Sequence, residues 1–380
     1  VVRSTYVRGT CVYRDGAFTG ARPGERLRRK GDGVSPGSAP RAPFTEHVDL
    51  ASARLGGKAL VASDDFFAPM DNLLKPEPPV FKPHEYTERG KWMDGWESRR
   101  KRVPGHDWCV IRLGTPGIVH GIVVDTAHFL GNYPPFCWLE ATDATPDAHG
   151  GGVGWHEIVP RSPLRGGCEN LFPVADGRRF THVRLHIEPD GGVARLRVHG
   201  VVVPDWEALR ASGALVDLAS VLNGGSVVTC NDMFFGPKDN LILPGRGASM
   251  ADGWETRRRR EPGNDWIVLR LGRAGRVRRV EIDTAHFKGN FPDGASLEGC
   301  RCGAAGLAPE ATRAGTDVAW RPILPRTPLA ADHVHTFEIA PPSHVVDHVR
   351  LSIYPDGGVS RLRVWCEPDW ETPGRDAPLR

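Results

Sequence analysis

Two tandem all-β domains, each an antiparallel sandwich or barrel, are what this sequence predicts, and three observations carry the prediction. Short β-branched runs alternate with clusters of turn residues. Gly (45) and Pro (33) together make up about a fifth of the 380 residues, a composition of many turns rather than long helices. The chain also repeats itself: its distinctive strings after residue 44 return once, in the same order. A repeat this long can bury its own core, so the duplication gives two domains and not a solenoid.

Residues 1–43 stand outside the repeat. Nine basic residues against Asp15, Glu25 and Asp32 give this segment +6, which leaves −3 for the rest of a chain of net charge +3. Gly, Pro, Ser and Ala dominate its tail, with little to bury, so 1–43 is expected to be a disordered basic N-terminal extension. The small total charge argues against nucleic acid as a partner. No apolar run is long enough to span a bilayer, and no signal-peptide core is present. The eight cysteines do not follow the repeat: Cys109 aligns with Ile267 and Cys137 with Ala295. Free thiols in a cytoplasmic, reducing compartment are therefore expected. Cys300-Arg301-Cys302 is a weak metal pattern by itself.

The first repeat is expected over 44–206 and the second over 207–380. A short helix stopped by glycine is expected between Val48 and Gly57, and a helix-like join over 206–222. Ser63-Asp64-Asp65-Phe66-Phe67 returns as Asn231-Asp232-Met233-Phe234-Phe235. Asp94-Gly95-Trp96-Glu97-Ser98-Arg99-Arg100 returns as Asp252-Gly253-Trp254-Glu255-Thr256-Arg257-Arg258, with a longer Pro-rich loop, 75–89, before the first copy. A strand from Asp107 has its partner from Asp265. The alternating runs His182 to Ile187 and His348 to Ile353 read as strands with one wet face. Pro189-Asp190-Gly191-Gly192 and Pro355-Asp356-Gly357-Gly358 read as hairpin turns. The four recurring tryptophan pairs read as core.

The chemistry centres on a strand end that appears twice, Asp125-Thr126-Ala127-His128-Phe129-x-Gly131-Asn132 and Asp283-Thr284-Ala285-His286-Phe287-x-Gly289-Asn290. Alternation puts Asp125 and His128 on opposite faces, so they cannot meet unless the strand breaks between them. Neighbours differ between copies (Val123 against Glu281, Leu130 against Lys288) while Asp, His, Gly and Asn stay, which marks His128, His286, Asp125 and Asp283 as proton-transfer candidates beside Glu97 and Glu255. Arg99 and Arg100 align with Arg257 and Arg258, whereas Lys101 aligns with Arg259; a retained guanidinium suits bidentate grip on a small carboxylate. Asp71 and Asn72, with Asp239 and Asn240, follow a proline turn. Capping explains them, and so does reading of amide or ureido groups, as for Asn132 and Asn290.

From residue 44 to near the C-terminus, these strings resemble the allantoicase family; Lys91-Trp92-Met93-Asp94-Gly95-Trp96-Glu97-Ser98-Arg99-Arg100 and Asp125 to Asn132 carry the resemblance best. The resemblance implies two jelly-roll β-sandwich domains and hydrolysis of allantoate to ureidoglycolate and urea in purine breakdown. It brings no list of catalytic residues. On chemical grounds the arginines would hold the substrate carboxylate, the Asp and Asn residues would read the ureido groups, and His with Asp or Glu would move protons. No cofactor is required by these residues; a divalent metal is an open alternative without a compact ligand signature. A homo-oligomer is expected, with unequal roles for two copies that are both needed. The rival class is a non-catalytic tandem β-sandwich that binds small acidic or carbohydrate ligands.

Overall fold

A computed structural model describes residues 4–7, 10–14, 17–18, 42–303, 307, 318–341 and 344–371. Two compact units divide at Pro43. In the first, Ser4–Val7, Thr10–Arg14 and Ala17–Phe18 form a three-stranded antiparallel sheet, an element absent from the sequence reading. The other residues of 1–41 lie outside the described set.

The second unit is all-β and holds two eight-stranded sheets, one per repeat. Each is built on one unusually long strand, Asp107–Asp125 or Asp265–Asp283. The long strand changes neighbours along its length. Its first half pairs with Arg179–Glu188 and Lys58–Ala62. Its second half pairs with Arg195–Val202 and Glu169–Pro173. In the second repeat the neighbours are Val345–Tyr354 and Ser226–Cys230, then Arg361–Pro368 and Val334–Glu338. One strand thus serves two layers, and the side chains of both halves enclose one core. Cys109, Ile111 and Leu113 enter it from the first half, Ile122 and Val124 from the second. Ile267, Leu269, Leu271, Val280 and Ile282 do the same in the second repeat. The inward parity flips between the halves, as a register shift in the ladder requires.

Several expectations change in detail. The Pro189–Gly192 and Pro355–Gly358 segments are not hairpins, because the long strand lies between the two strands that each connects. They are crossovers, and Gly192–Val193 pairs instead with Trp96–Glu97. The second glycine is required by packing: a Cβ on Gly192 would lie 1.9 Å from the Phe129 ring, and one on Gly358 1.9 Å from Phe287. The short helix before Gly57 is a single 3-10 turn, Ala53–Leu55, closed by left-handed Gly56. The helical join is only Trp206–Ser212, capped by Asp205 and ended by Gly213. Of the tryptophan pairs, Trp96 and Trp254 are fully buried. The other three pairs are half-buried, with Arg184 over Trp155 and Arg350 over Trp320.

Candidate active site

Each long strand stops at its aspartate, and the carboxylate helps stop it. Asp125 Oδ1 accepts from the Ala127 amide at 2.8 Å, and Asp283 Oδ1 from the Ala285 amide at 2.8 Å. These Asx turns replace the ladder hydrogen bonds. The hydroxyls of Thr126 and Thr284, both fully buried, donate to Arg165 O at 2.6 Å and Ala330 O at 2.7 Å. His128 and His286 then adopt φ of 69° and 70°, a left-handed conformation that costs a non-glycine residue roughly 1 kcal/mol. The strand therefore breaks between Asp and His in both copies, the condition under which both can serve one rim.

Both imidazoles are tethered the same way. His128 Nε2 donates to Pro79 O at 3.2 Å and His286 Nε2 to Gly247 O at 2.8 Å. A carbonyl only accepts, so the neutral ring carries its proton on Nε2 and its lone pair on Nδ1, the form of a proton acceptor. His128 is exposed and stacks on Phe81 at 5.6 Å; His286 is half-buried.

The glutamates sit beside the asparagines of the same motif. Asn132 Nδ2 donates to Glu97 Oε1 at 2.7 Å, and Asn290 Nδ2 to Glu255 Oε1 at 2.5 Å. Buried Trp96 anchors the short strand through Nε1 to Asp64 O, and alternation turns the next residue, Glu97, outward. Burial pushes the Glu97 carboxyl above the ordinary carboxylate range, and the Asn132 amide offsets this only in part.

The retained arginines have a structural occupation. Arg99 holds Asp64 at two points, main-chain N to Oδ1 at 2.8 Å and Nε to Oδ2 at 2.6 Å, and lies over Phe66. Arg257 holds Asp232 by the same atoms and lies over Phe234. Arg100 and Arg258 are exposed, with no ion pair among the described residues. Asn72 is buried with Nδ2 donating to Gly95 O, and Asn240 donates to Ala251 O and Gly253 O. These amides fasten one turn to another. Asp71 is exposed, and Asp239 pairs with Lys238.

A cleft of about 290 Å³ opens in the second repeat, lined by Gly245, Arg246, Glu281, Asp283, Arg361 and Arg363 among others. Arg246 Nε lies 3.2 Å from Asp283 Oδ2, and the adjoining Gly247 carbonyl holds His286. Asp283 and His286 thus converge on one loop. Register explains the lining: Arg361 pairs with Asp283 across the ladder and Arg363 with Glu281. Arg361 Nε and Arg363 Nη1 are buried and have no hydrogen-bond partner among the described residues. Burial also pushes both guanidinium groups down from their ordinary pKa. The first repeat differs. Arg195 donates from Nε to Glu77 O and from Nη2 to Asp94 Oδ2, and none of its nitrogens is left buried without a partner. Pro78 stands where Arg246 does, and Val123 where Glu281 does.

The allantoicase repeat model matches residues 48–203 and again 216–369, most of the chain. The chain belongs to the allantoicase family. This allantoicase-family chain is 51% identical over 335 residues to the probable allantoicase 2 of Burkholderia pseudomallei, covering 86% of this chain and 97% of that one. It is 45% identical over 339 residues to the allantoicase of Dictyostelium discoideum, covering 87% and 90%. The crystal structure of allantoicase from Saccharomyces cerevisiae matches with a TM-score of 0.69 at 37% identity, covering 85% of this chain and 93% of that one. The duplicated sandwich is thus the family fold.

Sequence reasoning passed over Arg246, Glu281, Arg361 and Arg363 as site residues. For Arg361 and Arg363 a signal was present, since Arg195-Leu196-Arg197 recurs as Arg361-Leu362-Arg363. Nothing in one sequence marks Arg246, whose counterpart in the first copy is Pro78.

Proposed function

We propose that this chain hydrolyses allantoate to ureidoglycolate and urea in the cleft of its second repeat. The observation that carries this reading is that Arg361 and Arg363, which both line the cleft, each keep a buried guanidinium nitrogen with no acceptor among the described residues. Such donors require a ligand acceptor or ordered water. The substrate carboxylate supplies two oxygens to arginine, and family membership makes allantoate the expected substrate. Asp283 and Glu281, facing the same space, accept from ureido N–H groups; a carboxylate has lone pairs to spare beyond those that Ala285 and Arg246 use.

His286 is the proton carrier in this reading. Its Nδ1 lone pair takes a proton from water as the water oxygen bonds to the central carbon. The carbon–nitrogen bond to one ureido group breaks, and that nitrogen receives the proton and leaves as urea. Atoms balance as allantoate plus water giving ureidoglycolate plus urea. A cleft lined by both signs of charge favours this polar ligand over an uncharged sugar.

Urea release from allantoate by the purified chain tests the reaction, and Arg363→Met tests the place. Absence of urea above background across the neutral pH range, with and without divalent metal, sinks the reaction. Full activity in Arg363→Met sinks the cleft. All cysteines among the described residues are free thiols, which supports a reducing, cytoplasmic setting. The exposed pairs Phe66–Phe67 and Phe234–Phe235 are surfaces on which a homo-oligomer is expected to form, a state that light scattering in solution reads directly.

A further inference from the structure

The second repeat differs from the first at a place far along the ladder from the cleft. We propose that Cys300, Cys302 and His348 form a thiolate–imidazole site for a zinc-like divalent ion. One ligand atom from each of the three lies within 4.8 Å of the others, and the two sulfurs are 3.5 Å apart. Two thiolates on a tetrahedral zinc, each at about 2.3 Å, stand about 3.8 Å apart. The two sulfurs are therefore within a few tenths of an ångström of the spacing that zinc needs.

The first repeat is an internal control. Cys300 faces His348 across the ladder as Thr142 faces His182. Where the second repeat has Cys300, Cys302 and Asp347, the first has Thr142, Ala144 and Thr181. In the first repeat Thr142 Oγ1 accepts from the Ala144 amide at 3.2 Å, and Thr181 Oγ1 meets His182 Nδ1 at 2.9 Å. That pocket is a hydroxyl network with no soft ligand. The histidine is common to both copies, and three differences around it each move the same way: two supply sulfur, and the third supplies a carboxylate. Asp347 Oδ1 lies 2.7 Å from His348 Nδ1 and accepts from the Cys302 amide at 2.9 Å; Oδ2 accepts from the Gly303 amide at 2.8 Å. A carboxylate that orients a ligand histidine is the usual outer support of a zinc site. Cys300 and His348 are buried and Cys302 is half-exposed, so an ion has an entry path and a fourth position open to water. Soft sulfur with imidazole selects zinc-like ions over magnesium or calcium. The ion would tie the end of strand Gly294–Cys300 to strand Val345–Tyr354 independently of the reaction in the cleft.

Cobalt titration of the full chain, stripped of metal under reductant, tests the site. The expected result is a thiolate-to-cobalt charge-transfer band that saturates at one equivalent, is abolished by zinc and is lost in Cys302→Ser. Zinc should raise the melting temperature of the wild type by a few degrees and leave that of Cys302→Ser unmoved. Cys302 is half-exposed, so this variant keeps its fold, checked by circular dichroism; Cys300→Ser is the second variant. No band, a band that survives in both variants, or a Cys300–Cys302 disulfide in freshly purified protein overturns the proposal.

Discussion

Arg54, in the first repeat, forms an ion pair with Asp252, in the second. Arg54 Nη1 also donates to Asn240 Oδ1 at 3.2 Å, and Asp252 Oδ2 takes Arg361 Nη2 at 3.0 Å. Leu55, the next residue, is buried in the core of the second repeat. The first repeat therefore helps hold the arginine that lines the second repeat's cleft. At the equivalent position the second repeat has Leu222, so the contact runs one way. Arg54→Leu is expected to cost about 1 kcal/mol, since Arg54 is partly exposed and screened, and to lower the melting temperature by about 2–4 °C. It should also raise KM for allantoate through Arg361. Unchanged stability and unchanged KM together would show that the contact is idle.

Arg363→Lys and Arg99→Lys separate two readings of the arginines that recur in both repeats. Arg363 lines the cleft, so lysine there should raise KM about tenfold or more, because an ammonium cannot rebuild the fork. Arg99 is occupied by Asp64 and exposed to water, so Arg99→Lys should leave KM within about twofold and alter stability by about 1 kcal/mol at most. Steady-state urea release on both variants decides; the opposite ranking would return the substrate carboxylate to Arg99.

His286→Ala is expected to lower kcat by about 10²-fold or more, the ordinary range for a lost proton carrier. The repeat alone predicts equal, non-additive losses at His128 and His286. Among the described residues, the arginines with open buried N–H groups all lie in the second repeat, so His128→Ala should lose much less, and the double variant should match His286→Ala. Half the rate in each single variant would establish two independent sites instead.

Stability should fall in mild acid because of His186. Burial pushes this imidazole down to about 4, although Glu140 Oε2 lies 2.8 Å from its Nε2. The unfolded chain therefore takes up the proton first. Stability is intact above the ordinary histidine pKa of about 6.5 and drains away as pH falls towards about 4, by about 3 kcal/mol if the whole gap counts. His186→Phe keeps the stack on Trp138 and cannot titrate, so its melting temperature should depend less on pH across that window. Identical pH slopes in the two proteins would remove His186 as the cause. Glu140, held low by Arg184 and His186 against the pull of burial, contributes only at more acid pH.

The sequence by itself determined the duplicated all-β architecture, the family and the polar strand ends. Each of these is a local pattern: alternation, turn residues, and strings that recur because the same local packing is solved twice. The Asp125 and Asp283 turns and the buried Trp96 and Trp254 follow from motifs a few residues long. The tertiary structure decided which of the recurring side chains are free to meet a ligand. Arg99 and Arg257 look alike as binding residues until Asp64 and Asp232, more than two dozen residues away in the chain, are seen to occupy them. Arg361 and Arg363 line the cleft because a long strand changes partners along its length and sets them opposite Asp283 and Glu281. Asn72 and Asn240 read in sequence either as turn caps or as ligand-binding amides, and in space they fasten a buried turn. Occupancy of a donor or acceptor depends on distant groups, and a single sequence records residue types without recording which of their hydrogen bonds are already made.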